Sequence, residues 1–445
     1  MAKYKAYPEY KDSGVIFLDN PPSHWHTMKI KHFLKLKNEI VGNNHTNFTL
    51  LSLTLNGVIT RDISSGEGKI PESFATYQRV ERNDLIFCLF DMDETPRTVG
   101  LSSQSGMITG AYNVYDCNNK ADPSFIYYYF LYIDSFKRLK PYYTGLRKVV
   151  RSETFDSLKL HLPSIKEQLK IAIYLEHQIT SIDGLIDKQL QLIELLKEKR
   201  QALISHAVTK GLNPDAPMKD SGVEWCGSMP ANWSSLRLKY IFSIQKNIAG
   251  KTGFEILSIT QRGIVIKDTQ SGEGQLSMDY SKYQRVEPGK FAMNHMDLLT
   301  GYVDISKYDG VTSPDYRVFY LKNKIAFHDK YYLYLLQNGY KQRLFFHLGQ
   351  GSSHLGRWRL PTEAFNEIIY PVPPYIEQKR IASHINNETK KIDTLIQKQL
   401  QQIELLKERR TALIAAAVTG KIDLRDWTPP ASSAEESPTA EEATA

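Results

Sequence analysis

The residues that could do chemistry in this 445-residue chain are few. Asn20-Pro21-Pro22 is the nearest thing to a catalytic stretch. In amino-methyltransferases, an Asp, Asn or Ser before two prolines and an aromatic ring binds a flipped base. Here Ser23 follows the prolines, and the first aromatic, Trp25, comes too late. The SGEG at 65–68 lacks the further glycine or Gly-Lys-Ser/Thr that cradling a phosphate needs, so it reads as a tight turn. The 12 histidines show no HExxH or paired metal spacing. No Gly-x-Ser-x-Gly nucleophile turn and no nuclease-like Asp…Glu-x-Lys cluster stands out. Cys88, Cys117 and Cys226 lie far apart without a CxxC pair, which excludes a disulfide framework and a cysteine-rich zinc site and fits a reducing cytoplasm. By elimination the chain reads as a binder: not an enzyme, with no catalytic residue and no metal.

What would position any binding residue is a repeat. IDGLIDKQLQLIELLKEKRQALISHAVT at 182–209 returns at 392–419 with 21 of 28 positions identical, 210 positions later. The duplication extends outward. KDSGVIFLDNPPSHW at 11–25 matches KDSGVEWCGSMPANW at 219–233, SGEG recurs at 271–274, and YQRVE at 77–81 recurs at 283–287. Gly106, Tyr112 and Val114 correspond to Gly310, Tyr316 and Val318; Arg147, Glu153, Phe155 and Pro163 correspond to Arg357, Glu363, Phe365 and Pro373. The second copy has SMPANW where the first has NPPSHW, so the shared feature is Pro-x-x-Trp, an anchoring turn rather than a methyltransferase loop.

The repeated segment carries an apolar stripe at heptad spacing. Its expected interface is Ile182, Leu185, Ile186, Leu192, Ile193, Leu196 and Leu203 in the first copy, and Ile392, Leu395, Ile396, Ile403, Leu406 and Leu413 in the second. Pro163 precedes the first helix; Gly211 and Pro214 follow it, as stop signals should. A homodimeric coiled coil would bury such a stripe. The better reading makes each helix the partner of the other within the chain, as an antiparallel pair. The intervening units mix short β-rich runs such as DLIFCLF with aromatic-rich helical runs such as SFIYYYFLYIDSF.

The fold class is therefore α+β: two tandem α/β domains separated by two long helices that form an intramolecular antiparallel coiled coil, a pseudo-twofold repeat. The expected boundaries are a first domain at 1–163, a central helix at 164–212, a second domain at 213–373, a distal helix at 374–422 and a disordered acidic tail at 423–445. The chain is 41% hydrophobic and 24% charged, ordinary for a folded protein. Its net charge of +7 suits a polyanionic partner without demanding one. The N-terminus has no apolar h-region and no apolar run approaches the length of a membrane span, so the expectation is a cytoplasmic protein with no membrane association.

On these residues the sequence resembles the specificity subunits of type I restriction-modification systems. KDSGVEWCGSMPANWSSLRL is similar to the segment that opens target-recognition domains in that family. GVTSPDYRV, PVPPYIEQKRIA and IDTLIQKQLQQIELLKERRTALIAAAVTGKID are similar to its later motifs. The first copy departs more, with GMITGAYNV where GVTSPDYRV is expected. The resemblance implies that each α/β domain reads one half of a bipartite, asymmetric sequence in double-stranded DNA. It implies that the helices set the spacer, and that two methyltransferase subunits and two restriction subunits are partners. S-adenosylmethionine, ATP and Mg²⁺ then belong to those partners, and this chain binds no cofactor. A stand-alone DNA adenine methyltransferase, motivated only by Asn-Pro-Pro, and a structural coiled-coil protein are the alternatives.

Residues identical in both domains cannot distinguish unlike half-sites, so Arg79, Arg285, Arg147 and Arg357 suit scaffold or phosphate contacts. Base readers should lie where the copies differ. The candidates are Arg61, Arg82, Arg97, Lys148 and Arg151 in the first domain, and Lys251, Arg262, Arg317 and Arg359 in the second. Arginine suits guanine and glutamine suits adenine, which adds Gln104 and Gln350. Tyr112 and Tyr316 are matched aromatics in polar loops, placed either on the sugar-phosphate or in the core.

Overall fold

The computed structural model describes residues 5–62, 73–269, 277, 279–351 and 358–430. Both SGEG turns, Arg357 and residues 431–445 lie outside the described residues. The chain divides into two compact units, Met1–Gln189 with Leu400–Ala445, and Leu190–Gln399. Each contains one α/β body and one half of each long helix.

In the first unit the strands are His26–Lys29 (β1), Leu34–Lys37 (β2), Leu51–Thr54 (β3), Gly57–Thr60 (β4), Gln78–Val80 (β5), Leu85–Phe87 (β6), Val99–Leu101 (β7), Gly106–Ile108 (β8), Asn113–Cys117 (β9) and Lys159–Leu162 (β10). They form a four-stranded antiparallel sheet in the order β2-β9-β6-β7, with the pairs β3-β4, β5-β8 and β1-β10 beside it. The aromatic run forms the helix Pro123–Ser135 (α1). It starts where the Asp122 carboxylate accepts from the Phe125 amide (2.8 Å), with proline in the first turn. α1 buries Phe125, Tyr129 and Tyr132 against the sheet core. A short helix, Ser152–Ser157 (α2), precedes β10, and the first long helix is Ile165–Lys210 (α3).

The second unit repeats this plan. Its strands are Met218–Asp220 (β11), Ser228–Pro230 (β12), Ser234–Arg237 (β13), Phe242–Gln245 (β14), Glu255–Thr260 (β15), Gly263–Ile266 (β16), Gln284–Val286 (β17), Phe291–Met293 (β18), Val303–Ile305 (β19), Gly310–Thr312 (β20), Arg317–Leu321 (β21) and Ile369–Val372 (β22). The sheet β14-β21-β18-β19 has the order of its counterpart in the first unit. Beside it β16-β15-β20-β17 forms one mixed sheet, parallel between β15 and β20. Its helices are Leu238–Ile241 (α4), Asp329–Lys341 (α5), Thr362–Glu367 (α6) and the second long helix, Tyr375–Val418 (α7).

Within each unit the two half-helices run antiparallel. In the first, Ile171, Leu175 and Ile182 of α3 share a core with Leu413, Ile414 and Ala417 of α7. In the second, Ile204, Ala207 and Val208 of α3 share a core with Ile381, Ala382 and Ile385 of α7. Of the expected interface, Ile182, Ile193, Ile392, Ile403 and Leu413 are buried. Ile186, Leu196, Leu203, Ile396 and Leu406 are half-buried. Leu185, Leu192 and Leu395 correct the expectation: they are 40–45% exposed. At ~100° per residue, position e lies about 40° to one side of position a and position d about 60° to the other, and the partner covers the a/e flank.

The helix ends are fixed alike in both units. Gln168 donates to the carbonyls of Lys120 and Pro163 and accepts from the Asp122 amide. Gln378 donates to Ala326 and Pro373 and accepts from the His328 amide. α3 stops at Gly211 and α7 at Gly420, both in the left-handed region (φ +77° and +73°). Gly211 packs under Trp233, and Gly420 lies so close to Pro22 and Trp25 that a Cβ would collide with the proline ring.

The segment from 423 is expected to be disordered, yet residues 423–427 pack within the first unit. Leu424 is buried, Trp427 stands edge-on to Tyr174 (5.2 Å), and the Asp423 amide donates to Lys5 (2.8 Å). Two apolar side chains precede the acidic stretch, and they pack here beside the Lys5–Asp426 pair and the Lys170 contact to the Arg425 carbonyl.

Candidate nucleic-acid interface

The Asn-Pro-Pro stretch offers no open face. Pro21 and Pro22 are buried, and Asn20 Oδ1 accepts from the Ser13 amide (3.0 Å). Trp25 is buried and donates from Nε1 to Glu167 (3.1 Å), which also meets His24 (3.0 Å). This is an anchoring turn that ties the first body to the start of α3. Among the described residues no group of three or more His, Cys, Asp or Glu could hold a metal ion.

Arg147, Lys148 and Arg151 of the first unit lie on a loop joined to residues 89–92 by backbone hydrogen bonds. The Asp91 amide donates to the Arg147 carbonyl (2.6 Å), and the Val150 amide to Leu89 (2.9 Å). Beyond them the chain closes a tip in which Thr144 and Val149 exchange two hydrogen bonds of 2.9 Å. The tip presents Arg147 and Lys148 to solvent, and Arg151 follows at the start of α2. Arg147 Nε donates to Asp91 Oδ1 (3.1 Å), and its guanidinium lies 4.9 Å over the Phe90 ring. Phe90 stacks on Tyr112 at 6.0 Å and 25°. A column of Tyr112, Phe90, Arg147 and Asp91 results. The Arg147 hydrogen bond holds the Asp91 carboxyl below its usual range, and the same contact raises Arg147. Gln78 places the Tyr112 loop by donating to the Tyr112 carbonyl (2.6 Å).

The other candidates of this unit stand apart from the column. Arg97 donates to the Leu55 carbonyl (3.0 Å) and Tyr127 (3.3 Å), and Gln104 donates to Thr60 (2.7 Å); both brace the β3-β4 hairpin. Arg61 follows β4, half-buried, its amide bonded to Leu50 (2.9 Å). Arg79 is paired with Glu81 (2.7 Å) and Glu39 (3.7 Å). Arg82, Lys148 and Arg151 are exposed, and their side chains make no hydrogen bond or ion pair among the described residues.

In the second unit Arg285 lies 3.9 Å over Phe254 and pairs with Asp309, and Lys251 approaches the same ring at 5.6 Å. Arg262 is exposed at the β15-β16 turn. Gln350 and Arg359 are exposed and bridge through their backbones (2.8 and 3.0 Å). Gln284 donates to the Tyr316 carbonyl (2.5 Å), the same part that Gln78 plays in the first unit. Tyr112 and Tyr316 are half-buried against small cores, Tyr112 raised by burial.

Arg317 corrects the base-reader expectation. It is 3% exposed, donates to the Leu360 carbonyl (3.0 Å) and Thr362 (3.3 Å), and lies 4.6 Å over Phe365. Burial lowers its pKa to about 10. It opens β21 on the inward side of the alternation, so in this structure it serves the core.

Sequence reasoning missed Phe90 and the glutamines. Gln78 and Gln284 sit inside the repeated YQRVE, and identity across unlike domains was the signal for a scaffold role. Phe90 has no such signal, because Met296 stands in its place.

Fold and loops together define a duplicated recognition protein: two α/β bodies with matched internal anchors, each packed in its own unit with an antiparallel pair of half-helices. The family described as type I restriction modification DNA specificity domain matches residues 98–195 and 230–405, more than half of the chain. The chain belongs to that family, and is a specificity subunit: a DNA-recognition component and not a catalytic one. It is similar to the type I restriction enzyme MjaVIII specificity subunit of Methanocaldococcus jannaschii, 25% identical over 329 residues, 69% of this chain and 72% of that one. Two solved structures share the fold. One comes from work on complex assembly and conformational transition of the type I R-M system (TM-score 0.64, 12% identity, 90% of this chain and 99% of that one). The other is the HsdS subunit from Thermoanaerobacter tengcongensis (TM-score 0.51, 13% identity, 91% and 99%). No helix among the described residues is long and apolar enough to cross a membrane.

Proposed function

We propose that each α/β body reads one half of a bipartite, asymmetric DNA target, that the long helices set the spacer, and that two methyltransferase subunits dock on the helices. Two restriction subunits complete a cytoplasmic complex in which S-adenosylmethionine, ATP and Mg²⁺ are used by the partners. The observation that carries this reading is internal likeness under external difference. Gln78 and Gln284 hold equivalent loops, and Gln168 and Gln378 lock equivalent helix starts. Above these anchors several exposed cations have no counterpart in the other copy: Arg82, Lys148 and Arg151 in the first unit, Lys251, Arg262 and Arg359 in the second. Unlike surfaces on like scaffolds suit unlike half-sites.

The helices support two like partners. Leu185, Leu400 and Leu405 are exposed in the first unit, and their repeat counterparts Leu395, Leu190 and Leu195 are exposed in the second. Such matched apolar sets are what two copies of one partner would use.

Methylome sequencing of cells carrying this chain with its methyltransferase tests the reading. Exchanging residues 1–160 for the first domain of another family member should change one half-site only; a change in both would overturn the assignment. Native mass spectrometry should find two methyltransferase subunits per copy of this chain.

A further inference from the structure

The tip at 144–149 carries one residue that no contact in the fold explains. Leu146 is 99% exposed, the most exposed large apolar side chain among the described residues. A single exposed leucine on a loose loop is ordinary. This one sits on a backbone that cannot fold it away. Thr144 and Val149 close the tip, Asp91 and Met92 donate to the carbonyls of Arg147 and Lys148, and Val150 is tied to Leu89. Gly145 and Lys148 hold φ of +68° and +47°, which fixes the turn on either side of the leucine. The next two side chains are cations. Arg147 is held by Asp91 and the Phe90 ring, whereas Lys148 has no hydrogen bond or ion pair among the described residues. A stiff apolar peg beside a free cation matches a duplex: the lysine meets a phosphate while the peg meets the stacked bases. Leucine is among the side chains that wedge open base steps.

We propose that Leu146 enters the base stack of the first half-site as a wedge, with Lys148 on the flanking phosphate. This rests on the reading of DNA by the first unit. The wedge unstacks one step, so part of the specificity at that step comes from how easily the sequence is deformed rather than from hydrogen bonds to base edges.

The test uses the complex with its methyltransferase, on duplexes carrying 2-aminopurine at one position at a time through both half-sites. A target base drawn out for methylation brightens whatever occupies position 146. A wedge produces a second bright position, in the first half-site only. That signal should vanish in Leu146→Ala, persist in Leu146→Phe, and survive in Lys148→Ala with weaker binding. Leu146→Ala should bind the cognate site roughly tenfold more weakly, the scale of losing one contact to a base step. Because Leu146 is 99% exposed, its truncation should leave folding intact. An unchanged fluorescence map and affinity in Leu146→Ala, with the methylated sequence unaltered, would overturn the wedge and leave half-site reading standing. A domain exchange that fails to alter the first half-site would instead overturn the reading on which the wedge depends.

Discussion

Arg200 Nε lies 3.0 Å from Asp393 Oδ1, and Arg410 Nε lies 3.2 Å from Asp183 Oδ1. The repeat offset of 210 carries Asp183 onto Asp393 and Arg200 onto Arg410, so exchanging the two copies turns one ion pair into the other. A parallel pairing of the helices could not produce both contacts. The two bridges therefore mark the antiparallel register in each unit separately.

These bridges specify register more than they stabilise. Arg200 and Asp393 are each more than a third exposed, so Arg200→Ala should cost at most about 1 kcal/mol in urea unfolding. Arg200→Asp should cost more, by placing two carboxylates together, and adding Asp393→Arg should restore stability. A double variant no better than the single one would show that the bridge does not form.

The seam and the outer face should separate cleanly in measurement. Ile403 is 3% exposed and Leu405, two residues on, is 63% exposed. Ile403→Ala should destabilise the first unit by about 2–4 kcal/mol through lost burial and a cavity. Leu405→Ala should change stability by no more than about 0.5 kcal/mol. On the proposed function it should instead weaken methyltransferase association, read by titration of that subunit. Equal effects on folding would contradict the a/e seam.

The parts legible in the sequence were those with a local or internal signal. The repeat gave the tandem plan, and heptad spacing gave the helices. The choice of flank was not legible: Leu185 and Leu395 satisfy the heptad as well as Ile186 and Ile396, and only the partner's position decides between them. Arg317 was misread because its partners, Leu360, Thr362 and Phe365, are distant in sequence and none is a carboxylate. The Tyr112–Phe90–Arg147 column joins three segments and leaves no periodic trace.

Acid should loosen the first unit through His161. This imidazole is 1% exposed, between Ser13 Oγ (2.9 Å) and Thr27 Oγ1 (3.0 Å). Burial, then the charge of Lys11, lowers its pKa to about 4. The folded state keeps it neutral while the unfolded chain protonates near 6.5, so stability is complete above about pH 6.5 and is lost as the pH falls toward 4. Allowing for solvent screening, the loss amounts to about 2 kcal/mol. His161→Gln should flatten that part of the urea-midpoint profile between pH 6.5 and 4. A profile as steep as wild type would assign the acid sensitivity elsewhere.

Salt dependence should distinguish cations that meet DNA from those that serve the fold. Lys148 is exposed and unpaired among the described residues, whereas Arg317 is buried and bonded to the backbone. A lysine on a phosphate releases about one counterion on binding. Lys148→Ala should therefore lower the slope of log K against log salt by about one, and weaken cognate and non-cognate duplexes alike. Arg317→Ala leaves the Leu360 carbonyl and the Phe365 ring without their partner and should destabilise the second unit by about 2–4 kcal/mol. The fraction that remains folded should keep the wild-type slope and the wild-type half-site. If Arg317→Ala altered the base preference of a stably folded complex, its guanidinium would have to leave the core on binding, and the burial seen here would describe only the free subunit.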